Sequence, residues 1–151
     1  MPEILLAEDN PADVYLIQEA LREHKVDCTM RVVADGKEVL WIISPGQVHT
    51  QAHRLGLIIL DLNLPRHDGL EILQRVRETA ELAHVPVVVL TSSDSPKDRL
   101  AANRLGAACY FRKPSSLEQF LSLGAVLKDL LGQTRKDSGM DLATEGATDE
   151  V

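Results

Sequence analysis

Four short strand-like runs in this chain end on residues that can do chemistry. Ile4–Ala7 is followed by Glu8-Asp9, Leu57–Leu60 by Asp61, Pro86–Leu90 by Thr91-Ser92-Ser93, and Cys109–Arg112 by Lys113-Pro114. Adjacent carboxylates repel each other, so Glu8-Asp9 calls for a cation or a buried arginine beside it. A hard cation such as Mg2+ prefers oxygen ligands and keeps several waters, and two carboxylates plus a backbone carbonyl suit it. A carboxylate can attack phosphorus to form an aspartyl-phosphate. The transition state spreads charge over the equatorial oxygens, where Mg2+, an ammonium and amide N–H groups stabilise it. Glu8, Asp9 and Asp61 supply the carboxylates and Lys113 the ammonium. The hydroxyl of Thr91 can donate to a phosphoryl oxygen. Taken alone, Asp61 reads as an acid accepting hydrogen bonds from turn amides. Only the set, one member at each strand end, points to phosphoryl chemistry.

Such a set needs a parallel sheet with all of those ends at one edge. The runs are too short for helices, and the first three are apolar and rich in branched residues, as buried strands are. Between them lie helical segments. Asn10-Pro11 provides an N-cap and a first helical residue, with Val14, Ile17 and Leu21 on one face. Asp27–Ala34 is a weakly patterned strand, and Lys37–Ile43 a short helix stopped by Ser44-Pro45-Gly46. A polar loop through Arg54 leads to the third strand. Gly69–Thr79, Pro96–Leu105 and Leu117–Leu131 read as further helices. Five alternations of strand and helix predict a doubly wound α/β sandwich with right-handed crossovers and a parallel sheet covered on both faces. In such sheets ligands bind beyond the carboxyl ends of the strands.

A chain of 151 residues with 44% apolar residues suits one globular domain, expected over residues 1–131. Residues 132–151 are polar and acidic, with too little to bury, and are expected to be a disordered tail. The net charge of −7 and an aromatic content of 3% disfavour nucleic-acid binding. Cys28 and Cys109 lack metal-type spacing and are expected as buried free thiols in a reducing compartment. No signal peptide or membrane-spanning run is present in the sequence, so a cytoplasmic protein is expected.

Glu8-Asp9, Asp61 with Asn63-Leu64-Pro65 and Asp68-Gly69, Thr91-Ser92, and Lys113-Pro114 occur in the order of a bacterial two-component response-regulator receiver domain. The chain resembles that family over roughly residues 3–131. The resemblance implies a five-stranded parallel sheet in order 2-1-3-4-5, the flavodoxin-like arrangement. It implies Asp61 as phosphoacceptor, Asp9 as a direct Mg2+ ligand, Glu8 as an acid acting through water, and the Asn63 carbonyl as a further ligand. Lys113 then pairs with the phosphoryl group, Thr91 is the switch hydroxyl, and Tyr110 changes rotamer with it. A cis peptide bond is expected before Pro114. Glu8 departs mildly from the family, since many receivers carry Asp there. Glu8 to Val14, Leu16 to Leu21 and Asn63 to Arg66 resemble more narrowly the single-domain regulators that partner phytochrome-type histidine kinases. The resemblance therefore implies a kinase partner and output through protein contacts, with no enzymatic or DNA-binding domain following.

Two other functions remain open. An aspartyl-phosphate phosphohydrolase typically carries a second Asp two residues after its nucleophile, where this chain has Asn63. A non-phosphorylated interaction module with this fold is opposed by the intact Asp61, Thr91 and Lys113.

Other residues carry less. His49 and His53 share a helix face without a nearby acid, which argues against a metal site. His67 and Arg66 read as surface loop residues, and Trp41 as a residue packing on the core. On the last helix, Leu117, Phe120, Leu121, Gly124, Leu127 and Leu131 form one stripe. Leu123, Val126 and Leu130 form a second, about 100° round. The two cover more arc than one sheet face needs, so the second either broadens the core face or serves an interface, homodimeric or with a kinase, with a homodimer as the working expectation.

Overall fold

The computed structural model describes residues 1–44, 47 and 55–138. The expected turn at Pro45-Gly46, the helix face shared by His49 and His53, and most of the acidic tail lie outside those residues. Among the described residues five strands alternate with five helices: β1 (Glu3–Ala7), α1 (Pro11–Glu23), β2 (Thr29–Val33), α2 (Gly36–Ile42), β3 (Leu55–Leu60), α3 (Gly69–Glu78), β4 (Val87–Thr91), α4 (Pro96–Arg104), β5 (Cys109–Arg112) and α5 (Leu117–Ser138). The strands form a parallel sheet in the order β2-β1-β3-β4-β5. This is the expected architecture and order.

The alternation of side chains along each central strand divides the core in two. Leu5, Ala7, Ile58, Leu60, Val87 and Val89 pack on one face, with Val39 and Ile42 of α2, Ile72, Leu73 and Val76 of α3, and Ala102 of α4. Ile4, Leu6, Leu57, Ile59, Val88 and Leu90 pack on the other, with Ile17 and Leu21 of α1 and Phe120, Leu127 and Leu131 of α5. Both faces are covered, so every residue of β3 and of β4 is buried.

Helix starts follow local chemistry. The Asn10 side chain accepts the amides of Ala12 at 2.9 Å and Asp13 at 3.4 Å. Asp35, Asp68 and Ser95 cap α2, α3 and α4 in the same manner. Gly124 is required by packing: a Cβ there would lie 2.3 Å from the Ala20 carbonyl oxygen and 2.4 Å from the His24 ring, so α1 and α5 touch across it.

Several local expectations are corrected. The Lys113–Pro114 bond is trans, as no peptide bond among the described residues is cis; trans is the intrinsically favoured isomer even before proline. Trp41 is 58% exposed rather than packed on the core. It lies about 200° round the helix from Val39, which occupies the inward face. Cys28 and Cys109 are free but only half-buried. They sit at the two edge strands, β2 and β5, where cover is thinnest, and partial burial raises both thiol pKa values. The last helix runs on through Gly132 to Ser138. In its first stripe Phe120, Gly124, Leu127 and Leu131 are buried and Leu121 is half-buried, while Leu117, in the opening turn, is 60% exposed. Leu123, Val126 and Leu130 are half-buried, and Leu123 and Leu130 pack against the core. A 3-10 turn, Ala80–Leu82, that the sequence did not announce joins α3 to β4 and buries Leu82.

Candidate phosphoacceptor and metal site

Backbone hydrogen bonds continue past the strand ends and set the site residues in register. The Asp61 amide donates to Ala7 O at 3.0 Å and the Glu8 amide to Val33 O at 3.0 Å. The Lys113 amide donates to Thr91 O at 2.8 Å. The acids after β1 and β3 are thereby neighbours, as are the groups after β4 and β5. The loop after β3 folds tightly back, because Gly69 lies so close to Leu62 that a Cβ would stand 2.4 Å from its Cα.

Glu8, Asp9 and Asp61 come together, each offering a carboxylate oxygen within 4.8 Å of the others. Glu8 and Asp61 are buried and Asp9 is exposed, so the group opens to solvent on one side. The donors are all oxygen, the set a hard divalent cation takes. The residues present therefore fit a divalent metal.

Lys113 enters this acidic group from β5. Its Nζ lies 3.0 Å from Asp61 Oδ2, 3.0 Å from Glu8 Oε1 and 2.7 Å from Asp13 Oδ2. Asp61 uses its other oxygen, Oδ1, to accept the Asn63 amide at 3.0 Å. Glu8 uses Oε2 to accept the Asn10 amide at 3.1 Å.

One ammonium cannot offset all of these carboxylates. Burial pushes the Glu8 carboxyl up to about 7, against hydrogen bonds from Lys113 and Asn10, and the charge of Asp61 adds to the rise. For Lys113, burial opposes the charge, but the hydrogen bonds to Asp13, Glu8 and Asp61 outweigh it, and its pKa rises above the ordinary lysine value. The lysine stays charged while Glu8 takes up a proton near neutral pH.

Thr91 is fully buried at the end of β4. Its hydroxyl accepts the Asn63 side-chain amide at 3.3 Å and the Ser93 amide at 3.4 Å. Tyr110 points inward, but its hydroxyl is not among the carboxylates. It donates to Ser93 O at 3.1 Å, and the Arg99 guanidinium lies 4.5 Å from its ring centroid. Ser93 in turn donates to Asp98 on α4 at 2.8 Å. Thr91 and Tyr110 thus meet through the β4–α4 loop. His67 is not solitary: its Nε2 is 2.9 Å from Glu71 on α3. Arg66 is a surface residue, with a positive φ of 76° and its guanidinium 3.8 Å from Asp35.

Sequence reasoning missed Asp13 as a partner of Lys113. A signal was present. Asn10-Pro11-Ala12-Asp13 has the spacing of a capping box, which turns an acid at the third helical position back toward the helix start. Here that acid turns toward Lys113 instead.

Fold and site together define a receiver domain. The family profile for the response regulator receiver domain matches residues 4–123. This chain belongs to that family and to two-component signalling. It is similar to response regulator Rcp1 of Synechocystis, at 35% identity over 120 residues, 80% of this chain and 82% of that one. Several other curated relatives, the response regulator MprA and the transcriptional regulatory proteins TrcR and TctD among them, are longer, and this chain spans about half their length. Among solved structures, the phosphorylated cyanobacterial phytochrome response regulator RcpA superposes with a TM-score of 0.77 at 35% identity, covering 88% of this chain and 95% of that one. The Mn2+-bound form of Rcp1 superposes with a TM-score of 0.70 at 32% identity, covering 97% and 100%. Family membership makes the chain a signalling receiver rather than an enzyme in the ordinary sense. Among the described residues, no helix is long and apolar enough to cross a membrane.

Proposed function

We propose that this receiver takes a phosphoryl group from the phosphohistidine of a sensor kinase onto Asp61, in a Mg2+-dependent reaction. One observation carries the reading: the two Asp61 oxygens are held separately, by the Asn63 amide and the Lys113 ammonium, at the rim of an oxygen-only metal group. A carboxylate oxygen of Asp61 attacks phosphorus, the P–N bond breaks, and the imidazole leaves with the bonding pair. Lys113 and the Asn63 amide stand where charge on the phosphoryl oxygens can be met. Glu8, Asp9, Asp61 and the Asn63 carbonyl would hold Mg2+, which when bound offsets the acids and the incoming charge. Any turnover is confined to self-phosphotransfer and autodephosphorylation. Asn63 supports this, since its amide, tied to Thr91, cannot serve as the acid or base that a phosphohydrolase needs two residues after its nucleophile. Phosphorylation then biases Thr91, Tyr110 and the β4–α4 loop.

The name of RcpA and its 35% identity support a phytochrome-type kinase as donor, acting in the cytoplasm. We assign the receiver to residues 1–131, with 132–151 as an acidic tail that begins within α5. The half-buried Leu123, Val126 and Leu130 stripe supports a homodimer through α5. Leu123 and Leu130 also pack on the core, so Val126→Glu is the variant to read; a dimer mass unchanged by it would refute this interface.

The deciding experiment is phosphotransfer from candidate kinases, phytochromes included, to wild type and Asp61→Asn. Transfer to wild type alone is expected. Equal transfer to both would overturn the assignment of Asp61.

A further inference from the structure

Lys113 has three donors, and each is directed at a different carboxylate, with Asp13 at 2.7 Å and Glu8 and Asp61 at 3.0 Å. Glu8 and Asp61 belong to the group able to hold a divalent ion, and Asp13 does not. A metal entering that group contends with the ammonium for the same oxygens. Asp13 stands outside the contest, on the first turn of α1, with its amide held by the Asn10 cap and its side chain only 15% exposed.

We infer that Asp13 is a positioning residue that retains Lys113 when a divalent cation takes over Glu8 and Asp61, so that the ammonium remains beside the phosphoacceptor without blocking the metal. The inference rests on the reading of Glu8, Asp9 and Asp61 as the Mg2+ site. With Asp13 neutral, the lysine's only carboxylate partners are metal-site acids. Its displacement then strands a partly buried charge, which is unfavourable. Asp13→Asn therefore weakens Mg2+ binding by about fivefold, the upper range for a partly exposed ion pair.

The test is a set of Mg2+ titrations of the full chain, read by calorimetry or amide chemical shifts. It covers wild type, Asp13→Asn, Asp13→Glu, Lys113→Met and the Asp13→Asn/Lys113→Met double variant. Lys113→Met alone should tighten Mg2+ binding, because a competitor is gone, and this arm does not depend on the folding of any Asp13 variant. Asp13→Glu should restore most of the affinity lost in Asp13→Asn. The loss caused by Asp13→Asn should be at least about threefold smaller when Lys113 is absent. Equal losses in both backgrounds would mean that Asp13 acts only through its charge on the metal, and would overturn the inference. So would unchanged or weaker Mg2+ binding in Lys113→Met. A wild type that fails to bind Mg2+ would instead overturn the metal site itself.

Discussion

The side-chain amide of Asn63 donates to the hydroxyl of Thr91 at 3.3 Å, while its main-chain amide holds Asp61 Oδ1 at 3.0 Å. One residue therefore touches both the candidate phosphoacceptor and the candidate switch. Thr91 accepts in both of its hydrogen bonds, which leaves its own proton for a phosphoryl oxygen.

Thr91→Val keeps the shape of the side chain and removes that proton. Asn63 is exposed, so water can take its amide, and stability should change by about 1 kcal/mol. Beryllofluoride with Mg2+ should then no longer shift the amide resonances of Tyr110 and the β4–α4 loop, whereas Thr91→Ser should retain the response. Full propagation in Thr91→Val would show that the hydroxyl is not the switch.

The metal-free protein should lose stability as the pH rises through the range from 4.5 to about 7. The Glu8 carboxyl is raised in the folded state, so over that interval the folded chain binds more protons than the unfolded one. By linkage the unfolding free energy then falls with pH, by on the order of 3 kcal/mol at most. Lys113, whose pKa is raised above the usual lysine value, contributes stability that is constant over this range. Urea unfolding at stepped pH should show the decline in wild type and a flatter profile in Glu8→Gln. Stability that climbs over the same interval would contradict the burial argument.

Removing the ammonium leaves Glu8, Asp13 and Asp61 without their shared cation. Lys113→Ala should cost about 2 kcal/mol in the metal-free protein, since breaking a partly buried ion pair strands the acids, and saturating Mg2+ should return much of it. The variant should still bind Mg2+ but lose the coupling between phosphorylation and conformation. Chemical denaturation with and without Mg2+, followed by the beryllofluoride response, measures both parts.

Gly124 has no room for a methyl group, which would meet the Ala20 carbonyl oxygen and the His24 ring. Gly124→Ala gains about 1 kcal/mol in helix propensity but forces α1 and α5 apart, at a cost of about 1–3 kcal/mol. A net destabilisation in urea is expected. A more stable variant would mean that the two helices separate freely.

Much of this architecture was legible because its causes are local. The apolar runs of β1, β3 and β4 announce strands with both faces covered, and the alternation along them foretells two cores. Asn10-Pro11 marks a helix start because a cap and a proline satisfy orphan amides whatever lies beyond. Trp41 was misread because a seven-residue helix has too few turns to define a face, so only the packing of Val39 and Ile42 shows which way it points. The cysteines were misjudged because an apolar stretch does not reveal whether its strand lies at a sheet edge.

The sequence by itself determined which chemical groups stand at the strand ends, and hence the family and the class of reaction. Those choices depend on residue type and on near neighbours. Only the tertiary structure decided how the groups share one another. Lys113 reaches Asp61 across 52 positions, and its division among Asp13, Glu8 and Asp61 follows from parallel register and from the way α1 leaves β1. The bond from Asn63 to Thr91 spans 28 positions and joins the loop after β3 to the end of β4. Contacts of this kind are set by the relative placement of strands and helices, which no local pattern of residues records.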